Sequence, residues 1–280
     1  MEKRVITIQL LNEFDAYLRA EEKSELTVQK YMSDLRQLQA FVNCRELDKS
    51  LLLAYKERLA QEYTATSANS KLAAINSYLR FAGWQELCVK QFRVQKQIYC
   101  SEEKELTKAE YLRLVETAKK RGNTRLELLL QTICGTGIRV SELQYITAEA
   151  VASGEAVVNC KGKTRVVIIV RALQKRLLCY CKTQKIKRGA IFVTASGKPL
   201  DRSNIWREMK LLCQAAGVAA GKVFPHNLRH LFARVFYGIE KDIAKLADIL
   251  GHSSINTTRI YIMTTGTEHR RKMETMRLIL

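Results

Sequence analysis

In the segment Pro225-His226-Asn227-Leu228-Arg229-His230, an imidazole and a guanidinium stand three residues apart. Residues at that spacing share a helix face, so a helical segment would point His226 and Arg229 the same way. Pro225 suits the first turn of a helix, and a helix N-terminus attracts anions. An imidazole, a guanidinium and a helix dipole aimed at one spot make a phosphate site. The spacing is equally that of a surface helix carrying two unrelated side chains, so it needs company.

Three other segments supply that company. GTGIRVSEL places Arg139 directly after a Gly-Thr-Gly turn, with Glu142 three residues on. Glu142 either orients a site residue or is a charge at a helix start. Lys161-Gly162-Lys163 separates two β-branched runs. LGHSSINTTRIY carries His252 and Tyr261. A tyrosine in such a context is on its own a packed aromatic. Yet three of the chain's four histidines, His226, His230 and His252, fall in two of these segments. His230, one turn beyond His226, either supports a site or packs; the remaining histidine, His269, sits in a solvated EHRRK run.

The elements that must position these groups are mostly helical, as expected with only two prolines, Pro199 and Pro225. Apolar periodicity predicts helices near 8–19, 28–43, 50–63 and 67–81, with Thr27 as an N-cap of the second and Gly83 closing the fourth. Four short helices make one small all-helical domain over residues 1–84. Residues 85–104 lose the pattern and read as a connector. Thr107-x-x-Glu110 is a capping box that opens the next helix. A second helix over 124–134 leads to Gly135. The runs 155–160 and 164–170 form a β-hairpin with Lys161 and Lys163 at its tip, and 190–194 is a candidate third strand. Helices follow near 201–216, 226–237 and 241–250. The fold class is mainly α: a helical domain at 1–84, then an α+β domain at 105–280 with a small antiparallel sheet.

The chain has 280 residues, 47% of them apolar, enough to bury a real core. Its 47 basic and 28 acidic residues leave a net charge of +19. The excess is uneven: +3 over residues 1–100 and +16 over 101–280, with +14 in residues 161–230 alone. Such a one-signed surface suits a polyanion, nucleic acid before an anionic membrane. No apolar run nears the ~20 residues of a membrane span, and acids at Glu13 and Asp15 interrupt any leader core. Eight cysteines occur without a Cys-x-x-Cys pair or metal-site spacing, which fits reduced thiols in a cytoplasm and no metal centre.

Taken together, the chain resembles the tyrosine recombinases, the phage integrase family. The pattern Arg, Lys, His-x-x-Arg, His, Tyr is met in order by Arg139, Lys161, His226, Arg229, His252 and Tyr261. The neighbouring words TGIRVSEL, HNLRHLFA and LGHSSINTTRIY also look like the family's. The likeness is strong over about 107–265, extends to 1–84 only in shape, and looks closest to the Xer-like and transposon-integrase size class. The family's hairpin usually carries one more residue, so the catalytic lysine is Lys161, with Lys163 the alternative.

The resemblance implies site-specific cutting and rejoining of double-stranded DNA through a 3′-phosphotyrosine, without metal, ATP or other cofactor. Tyr261 would be the nucleophile. Arg139 and Arg229 would clamp the non-bridging oxygens, and His226 would accept the phenol proton. The lysine would protonate the leaving 5′-oxygen, and His252 would donate to a phosphate oxygen. Glu142 and His230 are supporting candidates. Also implied are a tetramer on two duplexes joined through the apolar tail after Tyr261, an accessory DNA-bending factor in some systems, and a bacterial-type cytoplasmic, nucleoid-associated setting. Element integration and excision or chromosome-dimer resolution would be the use. Two other readings stay open at this point: a non-catalytic DNA-binding regulator on the same scaffold, and a type IB topoisomerase-like relaxing enzyme.

Overall fold

The computed structural model describes residues 4–95, 102–160, 163–194, 196–263, 270 and 273–276, with the side chains of Glu102, Cys160 and Lys163 outside that account. The chain divides into two compact units, Met1–Lys96 and Gln97–Leu280.

The first unit holds four helices among its described residues: α1 (Ile8–Ala20), α2 (Glu25–Val42), α3 (Lys49–Glu62) and α4 (Ala65–Phe81). Each begins at a side-chain oxygen or a small polar residue. Thr7, Asp48 and Thr64 cap α1, α3 and α4 by accepting from backbone amides, which satisfies donors a helix start otherwise leaves orphaned. The expected cap of α2, Thr27, lies inside the helix instead. Ser24 holds the N-cap position and its hydroxyl meets that of Thr27 at 2.8 Å. The buried stripe of α2 is Val28, Met32, Leu35, Leu38 and Val42, one face of an amphipathic helix. It meets Phe14, Leu18, Leu52, Leu72, Ile75 and Tyr78 in one core, where Phe14 packs edge-on to Tyr78 at 5.4 Å.

The segment that reads as a connector is ordered at both of its ends. Leu87 and Val89 are buried in the first core, and Asn76 fixes Val89 through both its amide group and its carbonyl, at 2.8 and 3.0 Å. At the far end Leu106 is buried in the second core. A local window with no period cannot reveal this, because Val89 is anchored by a side chain of the preceding helix, Asn76 of α4.

The second unit carries α5 (Lys108–Lys120), α6 (Thr124–Thr136), α7 (Ala148–Ser153), strands β1 (Glu155–Cys160) and β2 (Lys163–Ile168), α8 (Arg171–Thr183), α9 (Arg202–Ala216), α10 (Pro225–Glu240), α11 (Ile243–Leu250) and α12 (Ile255–Tyr261). The Thr107–Glu110 capping box forms in both directions. α6 is buried on most sides, with Leu126, Leu129, Leu130 and Ile133 at its heart. Its interior Glu127 is matched by Arg176 of α8 at 2.5 Å.

The strands pair antiparallel with Cys160 opposite Lys163. Ala156, Val158, Val167 and Ile169 face the core while Val157, Val166 and Ile168 face outward. The third strand does not form: residues 190–194 make only single bridges, Thr147 to Ala190 and Val193 to Pro199. Pro199 has no backbone N–H to extend such a ladder. α7 and α12 were not legible as helices; both are short. Among the described residues no helix is long and apolar enough to cross a membrane.

Candidate active site

Helix α10 starts at the extended residue Phe224, with Pro225 in its first turn. Its inward face carries Leu228, Arg229 and Leu231. Arg229 is 1% exposed and is the largest fully buried side chain among the described residues. A buried guanidinium must have its donors answered. Arg229 Nη1 donates to the Gly137 carbonyl, and Nη2 donates to Leu250 O at 2.6 Å. Nη2 also meets His252 Nε2 at 2.9 Å, while Nε makes no hydrogen bond among the described residues. Burial, with Arg139 nearby, lowers the Arg229 pKa to about 10; the neighbouring Tyr261 opposes that shift. The group stays cationic at neutral pH.

Arg139 arrives by a different route. α6 ends at Gly137, whose φ of +64° is left-handed. A Cβ there would lie 2.5 Å from Phe232 and 3.0 Å from Leu250, so both the backbone and the space call for glycine. Two residues on, Arg139 precedes the short 3-10 turn Val140–Tyr145. Glu142, 1% exposed, accepts from the Arg139 amide at 2.9 Å and from Arg139 Nη1 at 2.8 Å. Arg165 Nη2 of β2 donates to the same carboxylate at 2.6 Å. Burial raises the Glu142 pKa, but these hydrogen bonds and the arginine charges outweigh it and keep it below the usual range. Glu142 is therefore a buried ionised bridge between two arginines.

Tyr261, 6% exposed, closes the site from α12. Its ring stacks on His230 at 4.1 Å between centroids, with His252 at 4.9 Å and His226 at 5.1 Å. The Arg229 guanidinium carbon lies 5.7 Å from the same ring. All three imidazoles are shifted toward their neutral forms. His226 stands exposed at the start of α10. Desolvation by its neighbours lowers its pKa most, followed by Arg229, Arg202 and Arg139. Burial, then His226, Arg234 and Arg229, pushes His230 down to about 3. Burial, then Arg229, Arg139 and Arg165, takes His252 to about 4.

The tautomer of His252 follows from its partners. A guanidinium only donates, so Nε2 accepts from Arg229 and Nδ1 carries the proton. Nδ1 then donates to Thr258 Oγ1 at 2.9 Å. In this arrangement no ring N–H of His252 remains for a phosphate oxygen; the imidazole instead braces Arg229 against α12.

Of the sequence-identified residues, Arg139, Glu142, His226, Arg229, His230, His252 and Tyr261 converge. Lys161 lies outside the described residues, and Lys163 is placed only as the first residue of β2. Sequence reading passed over Arg165 and Thr258. Arg165 had a signal: in the alternating run KTRVVII it falls on the inward face with Val167 and Ile169, where a charge needs a reason. Thr258 had none, since α12 itself was not expected. Among the described residues no group of three or more His, Cys, Asp or Glu is placed to hold a metal ion.

Comparison with known proteins gives one consistent result. The family model described as "Phage integrase family" matches residues 104–267, and "Phage integrase, N-terminal SAM-like domain" matches residues 11–86. "Tyrosine recombinase XerA" of Thermococcus onnurineus is 31% identical, over 97% of this chain and 96% of that protein. The crystal structure of XerA recombinase covers 97% of this chain and 99% of its own, at 26% identity and a TM-score of 0.55. A lambda integrase tetramer bound to a Holliday junction shares the fold: 18% identity, TM-score 0.73, covering 92% of this chain and 77% of that one.

Two expectations test this geometry. His230 and His252 have native pKa values below the ordinary 6.5, so the unfolded chain binds the extra protons. Stability is then full above pH 6.5 and declines as pH falls toward about 3. Melting temperature should fall on going from pH 7 to pH 5, and His230→Asn should flatten that slope; an unchanged slope would contradict the buried neutral ring. Gly137→Ala should destabilise by about 1–3 kcal/mol in denaturant unfolding, with cleavage of DNA impaired through Arg229.

Proposed function

The chain belongs to the phage integrase family and is a site-specific DNA recombinase; from that premise we propose that Tyr261 is its nucleophile and that Arg139 and Arg229 activate the phosphate. The observation that carries this reading is the placement of the Tyr261 ring among His226, His230 and His252, with the Arg229 guanidinium 5.7 Å away.

The phenol oxygen of Tyr261 attacks the scissile phosphorus as the bond to the 5′-oxygen breaks. A 3′-phosphotyrosyl ester forms and a 5′-hydroxyl leaves. Covalent catalysis of this kind keeps the phosphodiester energy for rejoining. His226 is the base that takes the phenol proton: its ring centroid lies 5.1 Å from that of Tyr261, and desolvation first, with the surrounding arginines after it, favours its neutral form. Lys161, or Lys163 beside it, gives the leaving 5′-oxygen its proton. Rejoining is the reverse, with the 5′-hydroxyl of the exchanged strand attacking and Tyr261 leaving.

Arg139 and Arg229 take the non-bridging oxygens, where planar guanidinium donors match phosphate geometry and charge builds in the transition state. His252 acts by holding Arg229, and Glu142 by holding Arg139. His230 buttresses the Tyr261 ring. Because Tyr261 is 6% exposed, α12 draws away from α10 before attack.

The complete set of catalytic residue types favours this reading over a non-catalytic regulator. The lambda integrase comparison, a tetramer on a Holliday junction, supports four copies of this chain acting on two duplexes. Residues after Tyr261 would link neighbouring copies. Met273 and Met276 of that tail are exposed at 65% and 59%, while Leu278 and Ile279 lie outside the described residues. The enzyme would work on the cytoplasmic chromosome, in element integration and excision or in dimer resolution, with an accessory bending protein where the target requires one.

A nicked suicide duplex should trap a covalent protein–DNA adduct that Tyr261→Phe abolishes. Arg139→Ala and Arg229→Lys should cut adduct formation by about 10²–10³-fold with duplex binding largely kept; cleavage near the parental rate by either would displace the clamp. Removing residues 263–280 should leave binding of one copy to a half-site intact and abolish joint molecules between two marked duplexes. Joint molecules formed at the parental level would refute the tail's linking role.

A further inference from the structure

The carboxyl end of α11 presents three consecutive carbonyls, and each accepts from a different arginine. Arg165 Nη1 donates to Ile249 O at 2.6 Å, Arg229 Nη2 to Leu250 O at 2.6 Å, and Arg139 Nη2 to Gly251 O at 3.2 Å. A helix leaves its last carbonyls without internal partners, and its dipole favours cations there. Two of the three arginines are the phosphate clamp. The third, Arg165, has no role in the reaction as described so far.

Both terminal nitrogens of Arg165 are spent on the site's framework, while its Nε makes no hydrogen bond among the described residues. Its Nη2 bonds Glu142 Oε2 at 2.6 Å, and the other oxygen of Glu142 holds Arg139 at 2.8 Å. Its side chain is 13% exposed. A Cβ on Gly251 would lie 2.8 Å from its Nε, so the turn before His252 is shaped around it. It projects from the inward face of β2 opposite Val158, two residues beyond Lys163.

We propose that Arg165 is a positioning residue for strand cleavage, which locks Glu142 to the carboxyl end of α11 and so sets the separation of the Arg139 and Arg229 guanidinium groups. The physical need is clear from the partners. Arg139 keeps a side chain 35% exposed and is held by Glu142 and one carbonyl. Glu142 alone would neutralise it and could follow it toward an incoming phosphate. With Arg165 on its second oxygen, Glu142 is fixed, and the trio stays net cationic toward the DNA. Because β2 begins at Lys163, the same strut ties that candidate proton donor for the 5′-oxygen to the clamp.

The inference rests on the reading of Arg139 and Arg229 as the phosphate clamp, and its test separates the two. Single-turnover cleavage is measured on a suicide duplex with a natural scissile phosphate and on one with a methylphosphonate, which lacks one anionic oxygen. Arg165→Ala should bind the duplex like the parent but cleave the natural phosphate about 100-fold more slowly, the size of effect expected for a small misplacement. Arg165→Lys, which keeps the charge but not both bonds, should show an intermediate loss. On the methylphosphonate the deficit should largely vanish, because fewer oxygens need the clamp. Equal deficits on both substrates would mean a merely structural residue, and parental rates on the natural phosphate would mean none; either overturns the proposal. If Arg165→Ala does not fold, the ratio of the two substrates is read on Arg165→Lys with the same criterion. A parental protein that forms no Tyr261-dependent adduct would instead overturn the reading of the site itself.

Discussion

The site depends on one electrostatic constraint: three guanidinium groups, Arg139, Arg165 and Arg229, are held together around a single buried carboxylate. Like charges at such range repel, and a low-dielectric interior enlarges the repulsion. Glu142 offsets it for two of them. Backbone carbonyls of Gly137 and of residues 249–251 serve as partners for the rest. Carbonyl dipoles satisfy the donors without cancelling the charge, so the pocket remains cationic. That residual charge is what an incoming phosphodiester meets.

The same charge settles the state of the histidines. Each of the three imidazoles is lowered by burial first and by neighbouring arginines after. A neutral ring accepts a proton and a charged one does not, so desolvation and the arginines of the proposed phosphate clamp together suit His226 to its proposed role as a base. The two tasks come from one arrangement. They also fix His252: with Nε2 turned to Arg229 and Nδ1 to Thr258, the ring transmits the position of α12 to the guanidinium.

What was legible in the sequence was whatever local chemistry determines. The capping box at Thr107, Pro225 at the head of α10 and the alternating hairpin all act within a few residues, and all appear where the pattern put them. The His-x-x-Arg pair was legible because helical spacing alone aligns it. What escaped was set by distant partners. Val89 is held by Asn76, and Arg165 by Glu142 and Ile249; no window of neighbouring residues contains both halves of such a bond. Thr27 failed as a cap because the helix begins one turn earlier, with Ser24 at the N-cap position and its hydroxyl on Thr27 rather than on a backbone amide.

Tyr261, the proposed nucleophile, sits on one of the least secured elements of the second unit. α12 is seven residues long and buries only Thr258 and Tyr261, while Ile255 and Ile260 face outward at 49% and 59% exposure. Short helices draw little stability from their own hydrogen bonds, and segments that open are drawn from the weakly stabilised parts of a fold. The arginines, by contrast, are tied to α6, β2, α10 and α11 at once. The difference follows from what each must do. A phosphate clamp of the kind proposed would lose rate if it shifted by a fraction of an ångström, which suits the most constrained side chains. On the same proposal, a phenol that leaves its resting stack on His230 to attack is better carried on an element whose displacement costs little.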